Sequence, residues 1–565
     1  GVNIVVDPNI VAGKRAPALV GGRSVDEALA KLLEGSGLVA ERSSDNTVVV
    51  KEQPQRHTDA LETVNVFGTT IEDPILSSRT GDTLRERPQS ITIVTRERLD
   101  QQNLNSVAQA MEQTTGITIS NVSFTTQEFF SRGFSIRSIQ LDGGAPFVFN
   151  NFGYNQLPDL AIYEQVEVLR GADALYSGNG KPGGTIQLVR KRPKADSEFS
   201  VSLSAGRWDT FRANLDATGT VGFDGALRGR VVYVKEDAGS FMDVADTKRD
   251  LLYGALEADL GAYTQVMVGA TYDQRDAPHG GFGLPRYSDG RDLGLPRSTV
   301  FTADWARFNT QTLDIFGRLD QKFGDRWSMR LNMTRTEQKM RNLRVFGYGA
   351  ANAITGLLPA IYGGDEEFEP VQEMADLTLK GSFDLFGRTH KIAVGADWQN
   401  IDSGGKAWGY PAVTNVNPYT FDPSSIPIPA RSVIPGQDIV WGQKQNGAYV
   451  SLNLQITEPM HILGGARYSN YEYEYGYDNL NTTTGAVTGG FYQKYEDRDV
   501  VTPFFGFTYE LGGGWVGYGS YGESFESQAS YTKGPFPGPA VEPKTGESVE
   551  FGVKGGLWNG RAATQ

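Results

Sequence analysis

The sequence predicts a mainly β protein whose largest part is an antiparallel β-barrel that crosses a membrane. Two observations predict it: long segments that alternate apolar with polar or small residues, and connections that alternate between short and long. With 565 residues, the chain is too long for one ordinary core. Aromatic residues make up 11% of it and glycines number 68, a composition that favours strands and turns over helices.

Segments with a period of two begin near residue 197, and each has one apolar and one polar face. A soluble sandwich contains such strands as well. The segment 376–386 favours a barrel, because its residues rise about 3.3 Å each and, tilted by ~45°, cover about 25 Å, the height of a lipid-facing band. The clearest segments are FSVSLSA (199–205), FRANLDAT (211–218), WSMRLNMT (327–334), DLTLKGSFDLF (376–386) and AYVSLNLQ (448–455).

The connections between these segments differ in length on the two sides. Short turns on one side and long loops on the other are typical of outer-membrane barrels. The short turns include FGDR (323–326), FGR (386–388) and LGGG (511–514), and the long connections lie near 274–311, 338–375, 399–441, 470–499 and 523–546. We count fourteen complete strands and the start of a fifteenth after WNGR (558–561). Because a barrel must close in lipid, we expect the chain to be a fragment of a larger barrel.

Residues 1–51 predict a small αβ domain ahead of the barrel. Ser24 and Glu27 form a capping box, followed by apolar residues at helical spacing up to Gly35. The stretch NTVVVK (46–51) predicts a strand. The polar stretch EQPQRHTDA (52–60) predicts a linker. No leader pattern precedes Gly1, so we expect any signal peptide to have been removed.

Residues 61–195 have mixed α/β character and contain VEVLRGADALYSGNGKPGGTIQLVRKRP (166–193). Its Gly-Asn-Gly-Lys suggests a phosphate-binding loop, which requires a glycine five residues before the Gly-Lys pair and Ser or Thr after the lysine. Leu175 and Pro182 occupy those positions, and proline has no N–H to donate to a phosphate. The sequence therefore excludes a nucleotide site here.

Composition excludes several other classes of function. The absence of cysteine argues against zinc–thiolate, iron–sulfur and cysteine-nucleophile chemistry. A net charge of −14 makes a nucleic-acid partner unsuitable. The histidines, His57, His279, His390 and His461, form no i, i+4 pair and predict no metal site. The spacing of residues along the sequence indicates neither a nucleophile–base set nor a catalytic pair of carboxylates, which argues against an enzyme. No run of 18 apolar residues exists, so a membrane location requires a barrel.

Five motifs resemble those of TonB-dependent outer-membrane receptors for ferric siderophores, and they extend over most of residues 60–557. They are SRGF (131–134), LDG (141–143), the stretch 166–193, SYGESF (520–525) and EPKTGESVEFGVKG (542–555). The resemblance implies a 22-stranded type of barrel, with eight C-terminal strands absent here, and an α/β plug domain in its lumen. By this resemblance, the glycines of the stretch 166–193 allow tight packing of the plug inside the lumen and do not bind phosphate.

The resemblance also implies the domain boundaries. Residues 1–51 are similar to a secretin/TonB short N-terminal signalling domain in the periplasm, truncated at its start. Residues 52–68 are the linker and TonB box, 69–195 the plug domain, and 196–565 the incomplete barrel.

By the same resemblance, the function is active uptake of a ferric siderophore across the outer membrane of a Gram-negative bacterium, without a cofactor. The alternative is TonB-dependent uptake of another large solute, such as cobalamin or an oligosaccharide. The implied partners are TonB with its inner-membrane energising complex, an inner-membrane anti-sigma regulator, the ferric siderophore and outer-membrane lipid. Iron arrives wrapped by its chelator, so no protein ligands to iron are expected.

The TonB box is predicted as a strand-forming run after a flexible linker, suited to add to the sheet of another protein. The alternative is that it is the first plug strand. Its residues are Leu61, Glu62, Thr63, Val64, Asn65, Val66 and Phe67. Buried ion pairs that dock the plug to the barrel are implied by resemblance for Arg132, Glu167 and Arg170.

Aromatic residues at the outward end of the lumen are the predicted ligand site, because aromatic side chains in outward loops have no core to join. In a soluble protein such residues are more often core. The plug contributes Phe129, Phe130, Phe147, Phe149, Phe152 and Tyr154, and barrel loops contribute Phe282, Tyr287, Trp305, Phe346, Tyr348, Trp408 and Tyr410. No Lys or Arg lies between Thr115 and Arg132, which favours a neutral or weakly charged hydroxamate-type chelate over a strongly anionic one such as ferric citrate.

Overall fold

The computed structural model describes residues 3–6, 31, 33, 38–44, 47–52, 82–144, 146–147, 157–173, 178–280, 282–428, 430–528, 531–534, 538–557 and 562–564. The chain divides into two compact units, Gly1–Thr63 and Val64–Gln565. None of the helices in these described parts is long and apolar enough to cross a membrane.

The first unit contains a three-stranded sheet of β1 (Asn3–Val6), β2 (Leu38–Ser44) and β3 (Thr47–Glu52). The order is β1–β3–β2, with β1 parallel and β2 antiparallel to β3. The strand predicted at 46–51 corresponds to β3. Lys31 and Leu33, the described residues of the predicted helix, are helical, and the rest of that helix lies outside the described residues.

The plug domain combines two small sheets with short helices. One sheet has the order β4–β10–β11–β8–β9 and the other β5–β6–β7. Their bounds are β4 (Ile91–Thr95), β5 (Ile117–Asn121), β6 (Gln127–Ser131), β7 (Phe134–Ile136), β8 (Ser138–Leu141), β9 (Pro146–Phe147), β10 (Tyr163–Arg170) and β11 (Gly184–Arg190). The helices are α1 (Arg96–Gln101), α2 (Val107–Glu112) and the 3₁₀ turn Leu160–Ile162.

The centre of the plug is the antiparallel pair β10 and β11, which the stretch 166–193 supplies. Val166, Val168, Ile186 and Leu188 are all 0% exposed, and β11 is buried along its whole length. A strand buried on both faces has a near-continuous apolar sequence instead of an alternating one. Gly184 adopts φ +122°, and a Cβ there would lie 2.0 Å from the Leu169 carbonyl oxygen. This glycine therefore serves close strand packing.

The barrel wall is one antiparallel sheet of sixteen strands among the described residues. The strands are β12 (Glu198–Gly206), β13 (Thr210–Gly222), β14 (Leu227–Ala238), β15 (Thr247–Asp259), β16 (Thr264–Pro278), β17 (Arg307–Phe323), β18 (Trp327–Tyr348), β19 (Leu358–Phe368), β20 (Val371–Leu385), β21 (Arg388–Val416), β22 (Gln437–Thr457), β23 (Met460–Leu480), β24 (Val487–Gly512), β25 (Trp515–Glu526), β26 (Lys544–Leu557) and β27 (Ala562–Thr564). Two further 3₁₀ turns lie at Phe223–Gly225 and Pro423–Ser425.

Strands β19 and β20 are two halves of one wall strand. Both pair with β18 and β21, and Glu369 and Pro370 separate them. A proline has no backbone N–H for a sheet ladder, which accounts for the interruption. Counted in this way, β12–β26 supply fourteen full wall strands and β27 follows as the fifteenth, in agreement with the predicted count.

The wall has an apolar outer face and a mixed inner face. Val231 is 52% exposed while the next residue, Val232, is 0% exposed, as strict alternation requires. Exposed aromatic residues lie at the ends joined by short turns, where an aromatic girdle meets the membrane interface. They are Phe223, Tyr263, Phe323, Trp327 and Phe386. The arrangement places the short turns at the periplasmic side.

A basic run at the end of β11 ties the plug to the inner wall. Arg190 lies 2.6 Å from Asp314 on β17, and Lys191 lies 2.8 Å from Asp216 on β13. Arg192 continues the run and lies 2.6 Å from Glu257 on β15. The cations that end the stretch 166–193 are thus matched by carboxylates of the barrel. They fix the last plug strand where the chain turns into the wall.

A second anchor is the buried carboxylate of Asp159, which is 2% exposed. The Arg212 guanidinium donates to both of its oxygens, at 2.7 and 3.0 Å, and Arg249 lies 3.3 Å away. Burial alone would raise the pKa of the Asp159 carboxyl, but Arg249 and Arg212 outweigh burial and hold that pKa below its ordinary value. One plug carboxylate therefore holds two wall strands, β13 and β15.

The three predicted docking residues behave differently from one another. Arg132 lies 2.7 Å from Glu550 on β26, a carboxylate that also accepts a 2.6 Å hydrogen bond from the Tyr518 hydroxyl. Arg170 donates hydrogen bonds to Ser90, Thr92 and the Thr115 carbonyl of the plug, and the charge of Glu550 on β26 acts on its guanidinium, so its role in docking stays a prediction. Glu167 is fully buried and accepts a 2.7 Å hydrogen bond from Gln165, also of the plug.

We expect Asp159→Asn in the full-length receptor to loosen the plug, because Arg212 and Arg249 each lose one carboxylate partner and keep only Glu236 and Asp273 of the wall. Hydrogen bonds to charged groups contribute about 1.5–3 kcal/mol. Hydrogen exchange of β10 and β11 should accelerate by at least tenfold, while Asp100→Asn, at a side chain 64% exposed, should leave it unchanged. Equal exchange in both variants would contradict the anchoring role.

The same anchor sets an acid limit for the native receptor. Since the pKa of Asp159 is depressed on folding, its stabilisation is complete above the ordinary aspartate value of about 3.9 and is lost as the pH falls through the lower folded-state pKa. Exchange of the plug amides, expressed relative to the intrinsic exchange rate at the same pH, should therefore stay slow at pH 5 and rise only below about pH 4. An increase in this ratio between pH 7 and 5 would show that another group controls docking.

Candidate ligand site in the barrel lumen

Four tyrosines form a ladder along the inner face of β23. The sequence YEYEYGY places Tyr471, Tyr473, Tyr475 and Tyr477 on one face, because side chains of a strand alternate. Arg467, on the same face, is fully buried and forms a 2.5 Å ion pair with Asp397 of β21. The opposite face contains Tyr468, which is 42% exposed. The four residues are called the tyrosine ladder below.

Neighbouring strands add aromatic rings beside the ladder. Trp441 of β22 is opposite Tyr475, and Phe491 of β24 is opposite Tyr477. The ring centroids of Tyr475 and Tyr477 are 6.2 Å apart, and Phe491 lies 6.0 and 5.9 Å from them. These distances are typical of interacting aromatic pairs. Three adjacent strands thus present one continuous aromatic surface.

The exposure of the ladder increases towards the extracellular end. Tyr471 and Tyr473 are 7% and 9% exposed and belong to the apolar core that includes the plug. Tyr475 and Tyr477 are half-buried and pack against a separate cluster of Phe308, Met340, Phe368 and Ile439, and Tyr475 also packs against the core that includes the plug. The lower rings therefore hold the surface in place, and the upper rings and hydroxyl groups are accessible to a ligand.

Sequence reasoning missed the ladder, although the signal was present. The search for aromatic residues concentrated on loops, whereas the period of two in YEYEYGY places four rings on one wall. Among the described residues, no group of three or more His, Asp or Glu side chains is arranged to hold a metal ion. The ladder suits an organic ligand instead.

The aromatic residues predicted in the plug fall in different places. Phe129 is 0% exposed in the plug core, so its ring offers no surface to a ligand and the prediction for it was wrong. Phe130 lies on the other face of β6 and is half-buried. Phe147 lies in β9, and Phe149, Phe152 and Tyr154 lie outside the described residues.

Several loop aromatics that were predicted to bind ligand instead hold loops together. The Trp305 indole donates a 2.7 Å hydrogen bond to the Ile426 carbonyl, and the hydroxyls of Tyr287 and Tyr419 are 2.8 Å apart. They pack on a cluster that joins three loops: Leu293, Phe301, Ala303, Ala306, Val345, Ala351, Leu358, Ile361, Val416 and Ile426. The expectation that outward loops have no core was wrong for this reason.

Trp408 and Tyr410 belong to a polar cluster at the end of β21. The Arg431 guanidinium lies 3.4 Å above the Trp408 ring, whose indole donates to the Ser432 carbonyl at 3.1 Å. Trp408 is only 5% exposed, so it anchors the β21–β22 loop. Tyr410, two residues further along β21, is half-buried. The contacts of Trp408 hold its ring within the protein.

Phe282, Phe346 and Tyr348 keep exposed ring surface. They form a row with Tyr362, with centroid distances of 5.7, 6.3 and 5.8 Å along the row. Phe346 and Met340 share one face of β18, and Met340 packs in the cluster that Tyr475 and Tyr477 join. Of the predicted loop residues, Phe346 and Tyr348 are therefore on the same wall face as the ladder, and Phe282 of the β16–β17 loop packs against Phe346.

The apical turn of the plug reaches the extracellular loops. The Phe124 N–H donates a 3.1 Å hydrogen bond to the Gly280 carbonyl, just beyond the end of β16. The plug therefore extends as far as the extracellular ends of the wall strands.

Three family descriptions match the chain in succession. Residues 2–53 match the secretin and TonB N-terminus short domain, residues 83–185 match the TonB-dependent receptor plug domain, and residues 273–564 match the TonB-dependent receptor-like β-barrel.

Relatives with the same organisation are receptors. The ferric-pyoverdine M114 receptor PbuA of Pseudomonas sp. (strain M114) is 32% identical over 590 residues, covering 99% of this chain and 69% of that protein. The ferripyoverdine receptor of Pseudomonas aeruginosa PAO1 is 31% identical over 592 residues, covering 100% and 69%.

The fold matches solved structures of the same kind. The outer-membrane ferripyoverdine receptor of Pseudomonas aeruginosa, solved with ferripyoverdine bound, superposes with a TM-score of 0.76 at 28% identity, covering 100% of this chain and 72% of that one. Domain order, sheet topology and sequence agree. The chain belongs to the TonB-dependent receptor family of the Gram-negative outer membrane, with its short N-terminal domain, plug and β-barrel.

Proposed function

We propose that the protein takes up a ferric siderophore of the pyoverdine type across the outer membrane in a TonB-dependent manner. The observation that carries the proposal is the aromatic wall in the lumen, in a chain whose relatives of 30–32% identity are receptors for ferric pyoverdine. Its half-buried rings lie towards the extracellular ends of the strands, and the anchored plug obstructs free passage through the lumen.

The aromatic wall has the chemistry to hold a large chelate. Burying about 300 Å² of apolar ligand surface contributes roughly 7 kcal/mol before the costs of association. Tyrosine hydroxyls on Tyr475 and Tyr477 add hydrogen bonds to amide and hydroxyl groups of the chelator. Iron that stays in its chelator needs no protein ligand, which agrees with a site made of rings and hydroxyls.

Chelator identity separates the proposal from its alternatives. The comparisons do not confirm the expectation of a hydroxamate-type chelate, because the most similar relatives are named for ferric pyoverdine. Binding of a panel of ferric pyoverdines, ferric hydroxamates, cobalamin and an oligosaccharide distinguishes a pyoverdine receptor from a hydroxamate receptor and from a receptor for another large solute. Trp441 lies beside the ladder, so quenching of tryptophan emission reports binding. Binding of cobalamin alone would reject the siderophore function.

We expect Tyr475→Ala combined with Tyr477→Ala to weaken binding of ferric pyoverdine at least tenfold, about 1.4 kcal/mol, because the two half-buried rings are lost. The matched control is Tyr468→Ala with Tyr492→Ala, which removes two tyrosines from the outer face of the same strands. Titration on whole cells provides the affinities. If the control weakens binding equally, the ladder is not the contact surface.

Energy reaches the receptor through the TonB box, residues Leu61–Phe67, which lie outside the described residues. Because strand addition uses backbone hydrogen bonds, a proline removes a donor and fixes φ. Val64→Pro should leave binding of ferric pyoverdine at the cell surface normal and stop ⁵⁵Fe accumulation. Val64→Thr retains the N–H and should transport normally. Normal accumulation in the proline variant would place the box elsewhere.

The N-terminal domain supports a second role, signalling to an inner-membrane anti-sigma regulator. Its sheet belongs to a compact unit that ends at Thr63. Deletion of residues 1–51 should abolish ligand-dependent transcription and leave ⁵⁵Fe uptake within twofold of the native rate. A reporter gene and an uptake assay in the same cells measure both. Equal loss of uptake would show that the domain is not a separate signalling module.

A further inference from the structure

A cavity of about 260 Å³ lies between the plug and the inner wall at β17, β18 and β20. The plug contributes the turn at Asp142 and Gly143, together with Arg192. A smaller cavity adjoins it and shares Asp142, Arg192 and three wall residues. The function proposed above does not use this space, and the exposed rings of the ladder do not line it.

The wall side of the cavity consists of three register rows that descend towards the short turn at 323–326. The upper row is Arg318, Asn332 and Asp376; the middle row is Asp320, Arg330 and Thr378; the lower row is Lys322, Ser328 and Lys380. Alternate residues of a strand are about 6.6 Å apart, so the three rows cover about 13 Å. The lower row is at the periplasmic end.

The lining carries excess positive charge. Five basic and three acidic side chains line the cavity. Arg318 and Arg330 share the single carboxylate of Asp320, at 2.5 and 2.8 Å. The lower row has two lysines and no carboxylate, and the Lys322 ammonium has no ion pair among the described residues. A water-filled cleft with one sign of charge concentrates ions of the other sign.

A second observation points to a ligand with hydrogen-bond donors. Asn332 is 7% exposed, and its Oδ1 has no hydrogen-bond partner within the described residues. Its Nδ2 donates a 3.3 Å hydrogen bond to the Asp142 carbonyl of the plug. Buried polar atoms are normally paired, so this oxygen is open to an N–H or O–H group that enters the cavity.

We propose that the cavity is a transient binding site for an anionic ferric chelate on its way from the lumen to the periplasm. The inference rests on the uptake function proposed above. Pockets for whole ligands span about 300–1,000 Å³, so this one takes a carboxylate-bearing arm of the chelate, with Arg330, Lys322 and Lys380 in contact. Passage of the rest requires displacement of the Asp142–Gly143 turn.

This charge selectivity differs from the sequence expectation of a neutral or weakly charged chelate. That expectation used only residues 115–132 near the plug apex. Four of the five basic residues of the cavity come from β17, β18 and β20, which the fold brings together beneath the plug turn, and the fifth is Arg192. Binding of the chelate at the cell surface and its passage through the lumen therefore use different surfaces of the receptor.

The test uses cells that express the full-length receptor with Lys322→Gln and Lys380→Gln together. The probes are a ferric pyoverdine with a free carboxylate and the same compound with that carboxylate amidated. We expect surface affinity within twofold of native for both, at least fivefold slower uptake of the carboxylate form, and less than twofold slower uptake of the amide. Replacing both lysines by arginine should restore the rate.

Arg326→Gln is the matched control, because Arg326 is 56% exposed on the adjacent turn and pairs with Asp384 outside the cavity. Unchanged uptake of the carboxylate form in the lysine variant would overturn the site. Equal slowing of both probes would also overturn it, since it indicates a structural role. If the native receptor accumulates neither probe, the uptake function itself is rejected, and the site with it.

Discussion

Plug and barrel are held together by buried carboxylate–guanidinium and carboxylate–ammonium pairs, and the rest of the structure depends on them. Arg190, Lys191 and Arg192 meet carboxylates on three wall strands, and Asp159 pairs with two more cations. Because these groups are nearly all buried, removing one partner leaves a desolvated charge that is less well compensated. The plug is thus held in one position within the lumen.

The position of the plug sets the exposure of the aromatic wall. Tyr471 and Tyr473 are buried in the core shared with the plug, Tyr475 packs at the edge of that core, and Tyr477 packs against the separate cluster of Phe308 and its neighbours. The loops above are stiffened by their own apolar cluster, in which Trp305 bonds the β21–β22 loop directly. A ligand therefore meets a preformed surface, which lowers the ordering cost of binding. Below the plug turn, the basic cavity has a different chemistry.

The wall could be predicted from the sequence because a period of two and turn length are local properties. The alternation of apolar and polar residues also predicted the number of wall strands. The break between β19 and β20 follows from the backbone N–H that Pro370 lacks. The site was harder to predict, because burial depends on which strands become neighbours. Phe129 and Trp408 have the same aromatic chemistry as Tyr475, yet packing buries the first two. Arg170 was predicted by resemblance to dock the plug, and the sequence could not show that its hydrogen bonds would go to Ser90 and Thr92 of the plug.

A structure of the full-length receptor with ferric pyoverdine bound tests the central assignment most directly. The account predicts that chelate atoms lie within about 4 Å of the rings of Tyr475, Tyr477 and Phe491, the distance at which apolar groups are in contact. A chelate held only by the loops at 279–306 and 417–436, with no contact to β22–β24, would contradict it.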